Sequence, residues 1–141
     1  MEPRIITPVY HVSPQIDPSD APALKSAGYK LIICNRPDAE VPPSHQAEAM
    51  RAAIEAEGIR FSALPLTHQT MTAENILKQD ELVESAEGPV LAYCASGTRC
   101  SVVWALGHAE SLGVDAVLEA TGKAGYDLSG LRPTLEALAK A

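Results

Sequence analysis

The sequence predicts an α/β fold with a mostly parallel central sheet flanked by helices. Three observations carry this. Two short apolar runs, Lys30-Leu31-Ile32-Ile33-Cys34 and Val90-Leu91-Ala92-Tyr93, have the composition of strands buried on both faces. They alternate with longer stretches of helical character that stop at Gly28, Gly58 and Gly113. The chain has 141 residues, enough for one hydrophobic core, and shows no repeat, linker or low-complexity tract. One domain over residues 1–141 is expected.

In chain order, Val9-Tyr10-His11-Val12 reads as a first strand, placed at a sheet edge because Pro8 precedes it. Asp17-Pro18-Ser19-Asp20 opens a helix, with an acidic cap and Pro at the first helical position, running to about Ala27. The strand 30–34 follows, then a turn at Asn35-Arg36-Pro37-Asp38 and a loop through Pro42-Pro43. Ser44 is the cap expected for a helix reaching Glu57. Ile59 to Leu64 is a third strand and Pro65 to Met71 a loop. Thr72 caps a helix to about Ala86, with Leu77, Leu82 and Val83 among its apolar positions. Gly88-Pro89 breaks the chain before the strand 90–93. The apolar stretch Ser101 to Leu106 is a helix buried in the core, and 114–124 and 131–140 are the last two helices.

The stretch from Pro89 to Gly107 is the chemical centre. A strand ends at Cys94, a loop of small residues runs through Ala95-Ser96-Gly97-Thr98, and Arg99 opens a helix. The first amides of a helix lack internal partners, and with the helix dipole they form an anion site. Loop amides curving around one point add to it, and Gly97 allows the bend. Arg99 supplies a planar fork for oxyanions. A thiol at this mouth ionises readily, its pKa falling from about 8.5 to about 4–7. Cys94 is therefore the candidate nucleophile and Arg99 its catalytic partner. Ala95, Ser96, Gly97, Thr98 and Arg99 are the candidate anion-binding set.

Composition excludes other classes. A net charge of −7 argues against general nucleic-acid binding. No stretch is apolar enough to span a membrane, and Met-Glu-Pro-Arg-Ile-Ile lacks a signal-peptide pattern. Three cysteines form no evident disulfide framework, so a reducing cytoplasm is expected. His11, His45 and His108 are too scattered for metal ligation, and no cofactor or metal is expected.

Strand, Cys, small-residue loop, Arg and helix together resemble both the cysteine-based phosphatases and the rhodanese sulfurtransferases. Four residues separate Cys94 from Arg99, the rhodanese spacing, whereas phosphatase loops carry one more. Ser13-Pro14-Gln15, Ile32-Ile33-Cys34-Asn35-Arg36-Pro37-Asp38 and Val90-Leu91-Ala92-Tyr93-Cys94 with Gly97-Thr98-Arg99 closely resemble the phosphatase-like domain of the bacterial β-lactamase-hydrolase-like proteins. The resemblance covers nearly the whole chain. It implies a protein-tyrosine/dual-specificity-phosphatase-like fold. It also implies a link to sulfur transfer, in some members beside a persulfide dioxygenase domain.

Two departures from the phosphatase pattern bear on the chemistry. Tyr93 stands where phosphatases carry His, and 64–70 has no carboxylate where they carry an Asp acid. Expelling a phenolate of pKa about 10 gains about 10²–10⁴-fold from a proton donor. Expelling sulfite or a thiolate needs little such help. The expectation is a sulfurtransferase in which Cys94 takes a sulfane sulfur from thiosulfate or a low-molecular-weight persulfide, then passes the persulfide sulfur to a thiol acceptor. The alternatives are a phosphatase with a phosphocysteine intermediate and an inactive anion-sensing module.

Auxiliary candidates are Cys100, His68 and Arg36. Cys100 is either core filler or a resolving thiol. His68 is either an exposed loop residue or a proton donor. Arg36 either binds substrate or pairs with Asp38 or Glu40. Cys34 and Trp104 read as core, and Tyr93 as packing. Glu74 or Asp80 would favour the phosphatase reading if either reached Cys94.

Overall fold

The computed structural model describes residues 2–140. Its strands are β1 (Arg4–Ile5), β2 (Tyr10–Ser13), β3 (Leu31–Cys34), β4 (Arg60–Ala63) and β5 (Val90–Tyr93). They form one sheet in the order β1-β2-β5-β3-β4, with β1 antiparallel to β2 and every other pairing parallel. The first predicted strand is therefore interior. β1 forms the edge outside it, and Pro8 lies in the turn between the two.

β5 is central, and all four of its residues are buried. Val90 is flanked by Tyr10 and Leu31, and Tyr93 by Ser13 and Cys34. Alternate residues face opposite sides of the sheet, so two cores form. On one side Leu91, Tyr93, Ile32 and Cys34 pack with α1 (Ala21–Ser26) and α2 (Ala47–Ala56), through Leu24, Met50 and Ile54. On the other side Val12, Leu31, Ile33, Val90 and Ala92 are covered by α3 (Ala73–Ser85), α4 (Thr98–Leu112), α5 (Val114–Lys123) and α6 (Arg132–Ala139). Cys100, Trp104, Ala105 and Ala109 of α4 are buried there, with Val117 of α5 and Leu135 of α6 in the same core.

Several helix starts follow the sequence. Asp17 caps the 3₁₀ turn Pro18–Asp20 through a reciprocal capping box with Asp20. Thr72 accepts the Asn75 amide at the start of α3. Ser44 does not cap α2. Its hydroxyl bonds to His45, while Asp38 Oδ1 accepts the Ala47 N–H at 2.8 Å from across the loop. On α3, Leu77 is 57% exposed and Gln79 is buried in its place.

Parallel strands send their carboxyl ends to one edge of the sheet. Ser13, Cys34, Ala63 and Tyr93 are therefore followed by four loops on the same side. Ligands of open α/β sheets bind at such an edge.

Candidate active site

The loop after β5 sits at that edge, and neighbours pin it on both sides. The Cys94 N–H donates to the Ser13 carbonyl at 3.4 Å, and the Gln15 N–H to the Ala95 carbonyl at 3.3 Å. The chain reverses at Gly97, whose φ of +94° is left-handed. A Cβ there would also overlap the Tyr126 hydroxyl, which donates to the Ser96 carbonyl at 2.9 Å. Glycine is required twice over, by conformation and by space. Ser96 and Thr98 tie the turn together, Ser96 Oγ donating to Thr98 Oγ1 at 2.9 Å and accepting the Thr98 N–H at 3.3 Å.

Turning at Gly97 aims its amide at the Cys94 sulfur, 3.1 Å away. Cys94 is 1% exposed, yet its pKa falls to about 5. The Cys100 thiol, donating to the sulfur, is the largest cause. The main-chain N–H groups of Cys100, Gly97 and Ser96 act in the same direction, and burial opposes them. At neutral pH Cys94 is a thiolate held by converging donors. Cys100 is fully buried, and burial pushes its own thiol well up, so it keeps its proton and remains a donor.

Arg99, one residue into α4, reaches across to the loop after β3. Its Nη1 and Nη2 grip Glu40 at 2.8 and 2.7 Å, and Nη1 also donates to the Leu66 carbonyl at 3.0 Å. A guanidinium has five N–H groups. Three are engaged, which leaves the Nε edge, with one Nη2 hydrogen, for an anion. Glu40 raises the Arg99 pKa, burial lowers it, and the nearby Cys94 sulfur raises it again. Thiolate and guanidinium therefore share one site.

Glu40 was missed as a site residue because it meets Arg99 only through the tertiary fold, 59 positions along the chain. The available signal was its place in the loop after a strand that ends at the site. Hydrogen bonding from Arg99 holds its carboxyl below the usual range, against burial, and Arg36 adds to this. It is an ionised acceptor at neutral pH and an unsuitable proton donor.

Arg36 makes the ion pair, with Nε 3.2 Å from Glu40 Oε1 and Nη1 3.3 Å from Gln15 Oε1. It touches the site through Glu40. His68 is exposed on the 65–71 loop, whose turn is closed by Thr67 and Thr70. Glu74 pairs with Lys78 and Asp80 with His108. Cys34 lies on the opposite sheet face from Cys94 and Cys100, packed with Tyr93, and burial raises its thiol pKa. The Tyr93 hydroxyl is buried beside the Cys34 thiol, with no nitrogen or oxygen partner. Among the described residues no group of three or more His, Cys, Asp or Glu is placed to hold a metal. No helix among them is long and apolar enough to cross a membrane.

A thiolate faced by the Gly97 N–H, with a guanidinium in the same site, is suited to bind a tetrahedral oxyanion and attack its central atom. A crystal structure of a "putative phosphatase" from Neisseria meningitidis Z2491 is 33% identical, covers 96% of each chain and superposes with a TM-score of 0.84. P. aeruginosa TpbA, solved in complex with phosphotyrosine, shares the fold at 20% identity and a TM-score of 0.60, over 92% of this chain and 87% of that one. The fold is thus that of the protein-tyrosine and dual-specificity phosphatases. The beta-lactamase hydrolase-like protein of Agrobacterium fabrum is 35% identical over 91 residues, 64% of this chain. The match spans about a fifth (21%) of that longer relative. A family model described as "Beta-lactamase hydrolase-like protein, phosphatase-like domain" matches residues 2–111, and the chain belongs to that phosphatase-like family.

Proposed function

We propose that the domain is a cysteine-dependent phosphatase acting on aryl phosphate monoesters, phosphotyrosine among them. The carrying observation is the Cys94 sulfur, its pKa near 5, sharing its site with the Arg99 guanidinium, whose pKa the sulfur raises. The family and the phosphatase-like neighbours support this reading at least as well as sulfur transfer, which the motif spacing favoured. The Cys94 thiolate attacks phosphorus, an S–P bond forms, and the P–O bond to the leaving group breaks. The phenolate takes its proton from solvent. Water then attacks phosphocysteine, releasing phosphate and restoring the thiolate. Loop amides of 95–99 other than that of Thr98, which Ser96 Oγ holds, and the Arg99 edge carry the charge of the transferring phosphoryl group.

Glu40 is held ionised and the 65–71 loop has no carboxylate, so the leaving group departs largely unaided. Rates then depend steeply on leaving-group acidity. Nitrophenyl phosphate is expected to turn over about 10²-fold or more faster than phenyl phosphate, the range a general acid would otherwise compress.

The lack of a carboxylate donor also favours a second reading, sulfur transfer. There Cys94 attacks the outer sulfur of thiosulfate, an S–S bond forms and sulfite leaves. A thiolate acceptor then takes the sulfur and frees Cys94. Aryl-phosphate hydrolysis and thiosulfate:cyanide transfer, run side by side on wild type and Cys94→Ser, decide between them. Phosphate release that depends on Cys94 supports the phosphatase. Thiocyanate without phosphate reverses the order, and neither product from a folded protein leaves an anion-sensing module.

A further inference from the structure

The most unusual group outside the cradle is on α3. An amphipathic helix normally buries aliphatic residues, but this one buries Gln79, 2% exposed. Gln79 faces Asn35, fully buried at the end of β3. Their amides are paired head to tail: Asn35 Nδ2 donates to Gln79 Oε1 and Gln79 Nε2 to Asn35 Oδ1, both at 2.9 Å. Each has one N–H left over. That of Asn35 goes to the Leu64 carbonyl at 2.9 Å, and that of Gln79 to the Tyr10 hydroxyl at 3.2 Å. Tyr10 in turn donates to the carbonyl of Cys100 at 2.7 Å. Every N–H of the pair is used, and both amide oxygens accept.

The two ends of this chain of bonds arrive at the two halves of the cradle. One end is the first turn of α4, where Cys100 follows the Gly97 turn whose N–H faces the Cys94 sulfur. The other is Leu64, two residues before Leu66. Leu66 donates its N–H to the Asn35 carbonyl at 2.9 Å and accepts Arg99 Nη1 on its own carbonyl. No side chain of the pair touches the anion site. A buried polar network gains little stability over well-packed aliphatic residues, but when fully satisfied it fixes geometry.

We infer that Asn35 and Gln79, through Tyr10, are positioning residues that hold the Cys100 turn and the Arg99 anchor in register around Cys94. The inference rests on Cys94 and Arg99 being the reactive pair. It does not depend on whether phosphorus or sulfur is transferred.

The test separates geometry from stability. Gln79→Leu alone strands the Asn35 amide and is expected to destabilise. Asn35→Leu/Gln79→Leu together removes both amides and keeps the core apolar, so most of the melting temperature is expected to return. Turnover of the double variant is expected to stay about 10–100-fold below wild type, with KM changed less than about threefold, because the cradle is displaced rather than removed. Its Cys94 ionisation midpoint, read from thiolate absorbance, is expected to rise. Tyr10→Phe removes the bond to Cys100 and the acceptor of Gln79 Nε2 but keeps the paired amides, so it should raise that midpoint with a modest loss of melting temperature, which covers the case of a double variant that does not fold. A double variant that regains wild-type turnover with its stability overturns the inference. So does a wild-type Cys94 midpoint in both the double variant and Tyr10→Phe. If wild type turns over no phosphate ester or sulfur donor, the proposed function fails, and the midpoint still judges the network.

Discussion

Replacing Cys100 by Ala removes the donor that contributes most to the Cys94 thiolate while leaving the loop amides in place. A hydrogen bond to a charged group is worth about 1.5–3 kcal/mol. Each pKa unit is about 1.36 kcal/mol, so the midpoint should rise by about one to two units. From a starting value of about 5, Cys94 in Cys100→Ala is expected to titrate near pH 6–7. At pH 6 the thiolate fraction would drop from about nine-tenths to between about one-half and one-tenth. The assay is ultraviolet thiolate absorbance against pH, with Cys94→Ser as blank. Cys34 and Cys100 are silent below neutrality because burial raises both. Cys100→Ser restores an O–H donor and should titrate close to wild type. A Cys100→Ala protein titrating with wild type would refute the reasoning and assign the whole shift to the amides.

Three further outcomes are expected. Glu40→Gln weakens the grip on Arg99, and kcat/KM should fall about tenfold, roughly 1.4 kcal/mol, with weaker phosphate inhibition; unchanged values for both would make Glu40 a bystander. The folded-state pKa of Cys94 lies below its unfolded value of about 8.5, so this thiolate adds stability above that pH and loses it as pH falls toward about 5. Between those limits wild type should gain about 1.4 kcal/mol, or roughly 4 °C, per pH unit relative to Cys94→Ser in paired melting curves, and parallel curves would contradict the assigned ionisation. Tyr93→Phe removes a buried hydroxyl that has no nitrogen or oxygen partner and should leave the melting temperature equal or higher; a clear loss would mean that the hydroxyl is satisfied in solution.

The motif from β5 into α4 was legible because its signals are local: an apolar strand, a cysteine, small residues and an arginine in sequence. So were most helix starts, where Asp17 and Thr72 act on residues two or three positions away. What escaped is long-range. β1 has two residues, too few for any periodicity. Asp38 replaces Ser44 as the source of the first α2 bond because the intervening 3₁₀ turn points Ser44 elsewhere. Glu40 becomes a site residue only when the loops after β3 and β5 meet at one sheet edge. Gln79 left a trace, since it occupies the apolar stripe with Ile76 and Val83, where a polar residue signals a partner inside.

Tyr126 carries a consequence of another kind. The family match ends at residue 111, whereas this ring, seated on the cradle loop at Gly97, comes from the connection between α5 and α6. The segment that steadies the reactive turn is thus encoded outside the stretch by which the family is recognised. Two relatives could share every residue from Cys94 to Arg99 and still differ in how firmly that turn is held. Swapping the region after residue 112 between them would retune the chemistry while leaving its signature untouched.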